Sequence, residues 1–189
     1  MMKILYLGPE CKRILKHLKS FGDRVSRTEK KLTICEFIEP NYDFIISYGY
    51  RFIIPKRVTD YYKKRIINLH ISYLPWNRGA DPNFWSIIDN TPKGVTIHFV
   101  DEGLDTGDII IQKKVELEES DTLRTSYEKL SNAIEKLFMN SWIKIKDCEI
   151  VPEIQMGEGT FHYSKDKELY RTLLINGWDT KISELEKKK

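Results

Sequence analysis

Long apolar runs are missing from this sequence. No stretch approaches the roughly 20 apolar residues that a membrane-spanning helix needs. The run near the start, Ile4-Leu5-Tyr6-Leu7, stops at Gly8-Pro9 and is too short for a signal peptide. The expected location is therefore the cytoplasm. Cysteine is scarce. Cys11, Cys35 and Cys148 are odd in number, and no two are close enough for a metal knuckle. They read as reduced, partly buried thiols in a reducing compartment. A strong charge of one sign is also missing: 31 basic residues face 28 acidic ones, a net charge of +3. That balance argues against a general affinity for nucleic acid or anionic membrane. Part of the excess is Lys187-Lys188-Lys189, read as a frayed end rather than a nucleic-acid arm. Internal repeats and low-complexity segments are lacking too.

Core material is present. Hydrophobic residues make up 41% and aromatics 12% of 189 residues, which suits one well-cored domain and not two full ones. Lys3–Leu7 reads as a buried strand. Cys11, Ile14, Leu15, Leu18 and Phe21 then have helical spacing, closed by Gly22. Further buried strands are expected at 43–47, 66–70, 95–100 and 108–115. Pro55 can open a helix reaching Tyr62, and 82–89 carries another. A long helix is expected over about 122–146, with Ser120 or Asp121 as its N-cap. After Pro152, the 161–163 segment reads as a hairpin and 166–174 as a last short helix. The alternation predicts an α/β fold: a Rossmann-like, mostly parallel sheet covered by helices on both faces. Residues 1–150 form its expected body and 151–189 an appended extension. Ligands of such sheets bind beyond the carboxyl ends of the strands.

Several polar groups interrupt this pattern. Asn68 and His70 break the apolar strand 66–70, and strand alternation points both to one face. Such groups are costly at the end of a central strand unless bonded or used. His98 shares a face with Thr96. The loop Asp101-Glu102-Gly103-Leu104-Asp105-Thr106-Gly107-Asp108 carries four carboxylates. Taken singly, each has a plain explanation. His70 fits a satisfied structural histidine, Asn68 a backbone-bonding residue, and the loop a solvated turn or an oxygen-rich cation site. A zinc site from His70, His98 and Asp105 lacks any supporting HxH or HxxxH spacing.

Together the segments are more specific. Asn68-Leu69-His70-Ile71-Ser72-Tyr73-Leu74-Pro75, then Gly79, then Gly94–Val100, then Gly103-Leu104-Asp105-Thr106-Gly107-Asp108-Ile109-Ile110 resembles the folate-dependent formyltransferases. That superfamily includes the glycinamide ribonucleotide, methionyl-tRNA and sugar N-formyltransferases. The resemblance runs from about residue 43 to 115. It implies N10-formyltetrahydrofolate as donor, no metal, and an Asn-His-Asp catalytic set matched here by Asn68, His70 and Asp105. His98 matches a supporting histidine. The chemistry suits these residue types. An amine attacking a formyl carbon creates an oxyanion that N–H donors stabilise, and a carboxylate can relay the proton. By position, Tyr50, Phe52, Ile53 and Ile54 would line one side of the pterin slot, and Val100, Gly103 and Leu104 the other. The 52–54 run also suits ordinary core.

Residues just after the first strand bear on the acceptor. Gly8-Pro9-Glu10-Cys11-Lys12 lacks a phosphate cradle, and Glu10 would repel phosphate. The stretch 75–85 resembles the corresponding loop of the sugar N-formyltransferases. The segments 159–162 and 177–180 also look like that branch. The implied acceptor is a nucleotide-linked amino sugar, such as dTDP-linked 4-amino-4,6-dideoxyglucose, used for surface glycans. Trp76, Asn77, Arg78, Asp81 and Asn83 are the candidate substrate contacts. Trp76 or Trp85 would stack on a ring and Arg78 would meet diphosphate, against core packing for either tryptophan and a surface ion pair for Arg78. An aromatic hairpin at 161–163 would suit a homodimer contact. The alternatives are a glycinamide ribonucleotide formyltransferase, a formyltetrahydrofolate hydrolase, and a nucleotide-sugar sensor without turnover.

Overall fold

The computed structural model describes residues 1–186, so the lysine tail at 187–189 lies outside the described residues. In chain order the elements are β1 (Lys3–Leu7), α1 (Lys12–Ser20), β2 (Arg24–Thr28), α2 (Ile34–Ile38), β3 (Phe44–Ser47), α3 (Lys56–Tyr61) and β4 (Ile66–His70). They continue with β5 (Arg78–Gly79), α4 (Pro82–Ile88), β6 (Gly94–Phe99), β7 (Ile109–Lys114), α5 (Leu123–Lys146), β8 (Phe161–His162) and α6 (Ile182–Glu186). Two 3-10 segments, Ser164–Leu173 and Gly177–Asp179, precede α6.

Six strands form one sheet in the order β2-β1-β3-β4-β6-β7. The β2-β1, β1-β3 and β3-β4 pairs are parallel, whereas β4-β6 and β6-β7 are antiparallel. Alternation along β1 shows how the sheet is covered. Ile4 and Tyr6 join a core packed under α1 and α5, with Leu18, Phe138 and Trp142. Leu5 and Leu7 face the other way, toward Phe37 of α2, Val58 of α3 and Tyr62 just after it. Both faces are thus buried, which requires the near-continuous apolar strands seen in β1, β3 and β4. A third cluster joins Phe84, Trp85 and Ile87 of α4 to Leu123, Ile182 and Leu185.

Five features differ from the sequence expectation. First, β2 and α2 are additional. Arg24-Val25-Ser26-Arg27-Thr28 pairs only with β1 at the sheet edge, so it needs no apolar run. The five-residue α2 is too short to show a period, and a capping box between Thr33 and Glu36 starts it. Second, Thr122 caps α5, bonding reciprocally with Thr125. Asp121 instead is buried, accepting from Glu118 N at 2.8 Å and Lys129 Nζ at 2.8 Å. Third, there is no hairpin at 161–163. β8 pairs in parallel with β5, Arg78 opposite Phe161 and Gly79 opposite His162. Fourth, the segment expected as a last helix at 166–174 is a 3-10 helix, Ser164–Leu173. Fifth, Cys35 and Cys148 are exposed free thiols rather than partly buried ones.

Candidate active site

The strand pattern and the sheet register bring the polar groups together. Asn68 and His70 lie two residues apart on β4, and the antiparallel register sets His98 of β6 opposite Asn68. Asp105 reaches them from the β6-β7 loop, where its backbone holds φ of +54°. Asp101 shapes that loop by accepting from Gly103 N at 3.0 Å and Thr106 Oγ1 at 2.7 Å. Four contacts converge on the Asp105 carboxylate. Asn68 Nδ2 donates to Oδ1 at 3.0 Å, and Gly79 N donates to Oδ2 at 2.9 Å. His98 Nε2 lies 3.4 Å from Oδ1, and His70 Nδ1 lies 3.8 Å from Oδ2. Gly79 must be glycine here: its φ is +89°, and a Cβ would sit 2.4 Å from the His162 carbonyl.

These contacts set the charge states. Burial alone would raise the Asp105 carboxyl. The His70 and His98 rings and the Gly79 N–H overcome it and hold the group well below the usual carboxylate range. Burial pushes His70 below its ordinary 6.5, and Asp105 only partly opposes this. His70 is therefore neutral at neutral pH. Its Nε2 lies 3.1 Å from the Asn77 carbonyl, which can only accept, so the proton sits on Nε2. His70 Nδ1 is left as a lone-pair acceptor. By the same reasoning, His98 donates Nδ1–H to the Phe99 carbonyl at 2.7 Å.

The cluster floors a cavity of about 690 Å³. Tyr50, Phe52, Ile53, Ile54, Val100, Gly103 and Leu104 all border it. Ile53 and Leu104 are exposed apolar side chains on its wall, at 79% and 42% exposure. Such a wall fits a flat heteroaromatic ring. Ile54 also belongs to the core under α3. Among the described residues, no group of three His, Cys, Asp or Glu side chains is placed to hold a metal ion.

The stretch after β4 departs from expectation. Asn77 is fully buried and is a scaffold, not a surface contact. Its Nδ2 donates to Thr91 Oγ1 at 2.7 Å, its N donates to Thr160 Oγ1 at 2.8 Å, and its carbonyl holds His70. Among the described residues Arg78 has no ion-pair partner, and it does not border this cavity. Its guanidinium donates to Gln155 Oε1 at 3.1 and 2.8 Å. Trp76 borders neither cavity. Trp85 is buried and stacks on His162, centroids 3.8 Å apart and planes 4° from parallel. His162 is fastened in turn to Asp89 at 2.7 Å. Asp81 borders the large cavity and Asn83 does not; both line a smaller one beside it. Gln155 gave no signal in the sequence, yet its Nε2 donates to the carbonyls of Asp105 and Gly107, both at 2.8 Å. It connects Arg78 to the loop that carries Asp105. In the turn after β1, Gly8 N donates to Thr28 O, so this N–H is not open to a phosphate, and Gly8 O accepts from Arg27 Nη1.

Comparison with known proteins fits this geometry. Residues 14–141 match the Formyl transferase family model. The chain belongs to the formyl transferase family. A solved structure of the formyltransferase PseJ from Anoxybacillus kamchatkensis is 53% identical, with a TM-score of 0.95 over 99% of this chain and 100% of that one. It holds UDP-4,6-dideoxy-4-formamido-L-AltNAc and tetrahydrofolate. A dTDP-4-amino-4,6-dideoxyglucose formyltransferase of Mycobacterium bovis is 32% identical over 80% of this chain and 64% of its own. A methionyl-tRNA formyltransferase of Thermodesulfovibrio yellowstonii is 38% identical over 66% of this chain and 40% of its own. The chain thus spans about 40 to 64% of the length of these two curated relatives. Within the formyl transferase family it sides with the folate-dependent sugar N-formyltransferases.

Proposed function

We propose that this chain transfers a formyl group from N10-formyltetrahydrofolate to the amine of a nucleotide-linked 4-amino-4,6-dideoxy sugar. The convergence of Asn68, His70 and Asp105 on one cavity floor carries the reading. The folate supplies the formyl carbon; Phe52, Ile53 and Leu104 would hold its ring. The protein's groups do the rest. His70 Nδ1 is free to take the proton that the attacking amine must lose. Protonation converts that lone pair into a donor, beside an Asp105 carboxylate already charged to receive an imidazolium; as the formyl C–N10 bond breaks, the imidazolium returns the proton to N10 of the departing tetrahydrofolate. The second Asn68 N–H has only a long 3.4 Å contact to His98 Nε2 and is available to a developing oxyanion.

The two sugar-acting relatives agree on nitrogen at the sugar 4-position and differ in the nucleotide, UDP in one and dTDP in the other. At 53% identity, the UDP-linked 4-amino sugar is the first substrate to assay. Mass spectrometry of amino-sugar nucleotides incubated with the donor should show a gain of one CO unit. Formylation of glycinamide ribonucleotide alone, or formate release with no amine present, would replace this reading.

A further inference from the structure

N10 of a tetrahydrofolate lies between the pterin and a benzoylglutamate arm. With N10 at the Asp105 floor and the pterin against Phe52, Ile53 and Leu104, that arm must leave through the open mouth of the large cavity. It ends in the carboxylates of glutamate, and each further γ-linked glutamate adds another. The mouth carries charge that suits them. Arg51 is exposed and borders the cavity between Tyr50 and Phe52. Tyr50 fixes a second basic stretch beside it. Its hydroxyl donates to the Lys30 carbonyl at 3.0 Å and accepts from Leu32 N at 3.3 Å. The Tyr50 ring meets Phe52 edge-on with centroids 5.4 Å apart, so the stretch 30–32 is tied to the wall of the donor slot. Lys30 and Lys31 are both exposed. Among the described residues, Arg51, Lys30 and Lys31 have no carboxylate partner. Acidic side chains around them are engaged elsewhere. Glu29 pairs with Arg27, and Glu36 accepts from Thr33 N at 2.7 Å in the cap of α2. On the opposite wall, Lys56 Nζ holds Glu102 at 3.2 Å, and Asp101 is taken up by Gly103 N and Thr106 Oγ1.

We propose that Arg51, with Lys30 and Lys31, binds the glutamate tail of the folate donor, and that the protein prefers donors carrying a poly-γ-glutamyl tail. This rests on the folate-donor reading above. A single glutamate meets Arg51, whose guanidinium fork matches a carboxylate. A longer tail continues past Tyr50 to the two lysines. Their flexible stems can follow successive carboxylates of a tail that holds no single conformation. Exposed ion pairs are weak singly, about threefold in affinity each, so discrimination grows with the number engaged. The tail takes no part in bond making. These cations set how tightly and how fast the donor is captured.

Calorimetric titration with tetrahydropteroate, tetrahydrofolate and tetrahydrofolate triglutamate, with no acceptor present, tests this. The triglutamate should bind about tenfold more tightly than the monoglutamate at low salt, and the difference should shrink toward about twofold near 0.5 M salt. Arg51→Gln should weaken both glutamate forms by about threefold. Lys30→Gln combined with Lys31→Gln should bring the triglutamate down to the affinity of the monoglutamate. Tetrahydropteroate, which has no glutamate, should bind the unmodified and substituted proteins alike. All three side chains are exposed, and unchanged melting temperatures would confirm intact folds. Equal affinity for the monoglutamate and triglutamate, or a difference that none of these substitutions reduces, overturns the inference. If such a protein still formylates a nucleotide-linked amine, the transfer reading stands and only the tail site falls. Tail-dependent binding that Arg51 controls, without formyl transfer to any amine, keeps the tail site and removes the transfer reading.

Discussion

Residues 66–108 and residues 151–180 both border the site, and they contribute different things. The first stretch supplies the polar groups that converge at the cavity floor and are proposed for the reaction: Asn68, His70, His98 and Asp105. The second holds those groups in place. Gln155 fastens the backbone around Asp105, Thr160 fastens Asn77, and through Asn77 the position of His70. The His162 carbonyl receives Ala80 N beside Gly79. Asn68, His70 and His98 sit on strands of the sheet and Asp105 on the loop beside them, while the later segment laces the loops together from outside. Positioning of this kind matters because small displacements of reacting groups cost large factors in rate. The segment after residue 150 is therefore part of the framework of the candidate site.

Substitutions can break this comparison. Asp105→Asn should have the largest effect, lowering kcat by about 10²–10⁴ with the donor KM little changed. Steady-state kinetics check it, and near-normal turnover would remove Asp105 from the reaction. Next is pH. His70 is held below 6.5, so the acid limb of kcat/KM should lie below that value. Folding stability depends on the same shift. The unfolded chain protonates its histidine first, so stability should fall as pH drops below 6.5. Asp105, depressed in the folded state, adds a further loss below about 3.8. Urea midpoints across pH would reveal both, and a stability rising toward acid would contradict the assignment.

Gln155→Ala should act on both regions at once. It removes two bonds to the loop carbonyls and leaves Arg78 without its side-chain acceptor, a loss of about 1–3 kcal/mol. The melting temperature should fall by about 2–4 °C per kcal/mol, and kcat should fall with it. A drop in melting temperature with kcat intact would show that the later segment braces the fold but not the chemistry. The smallest effect expected is from Gly159→Ala. Its φ is +66° and a Cβ would lie 2.0 Å from the Pro75 carbonyl, so about 1–3 kcal/mol of stability should be lost. Donor KM should stay constant.

Part of the site is legible in the sequence because its signals are local. The apolar run and the alternation of 66–70 place Asn68 and His70 side by side whatever surrounds them. The helical spacing of α5 depends only on its own 24 residues. Edge strand β2 escapes such a reading because a strand paired on one side needs no apolar run. The roles of Trp85 and Arg78 escape it because their partners, His162 and Gln155, lie 77 residues further along the chain in each case.

By itself, the sequence determined the α/β alternation, the faces of its strands and the identity of the polar groups at their ends. Periodicity and residue type act over a few neighbours, so no fold is needed to read them. Only the tertiary structure decided which nitrogen of His70 carries the proton, that Asp105 stays charged beside it, and that the last third of the chain holds both. Those outcomes depend on burial and on contacts between different elements, of His70 with Asn77 and Asp105 and of Gln155 with the loop carbonyls it holds. Such pairs leave no periodic trace, because they are specified by packing rather than by spacing.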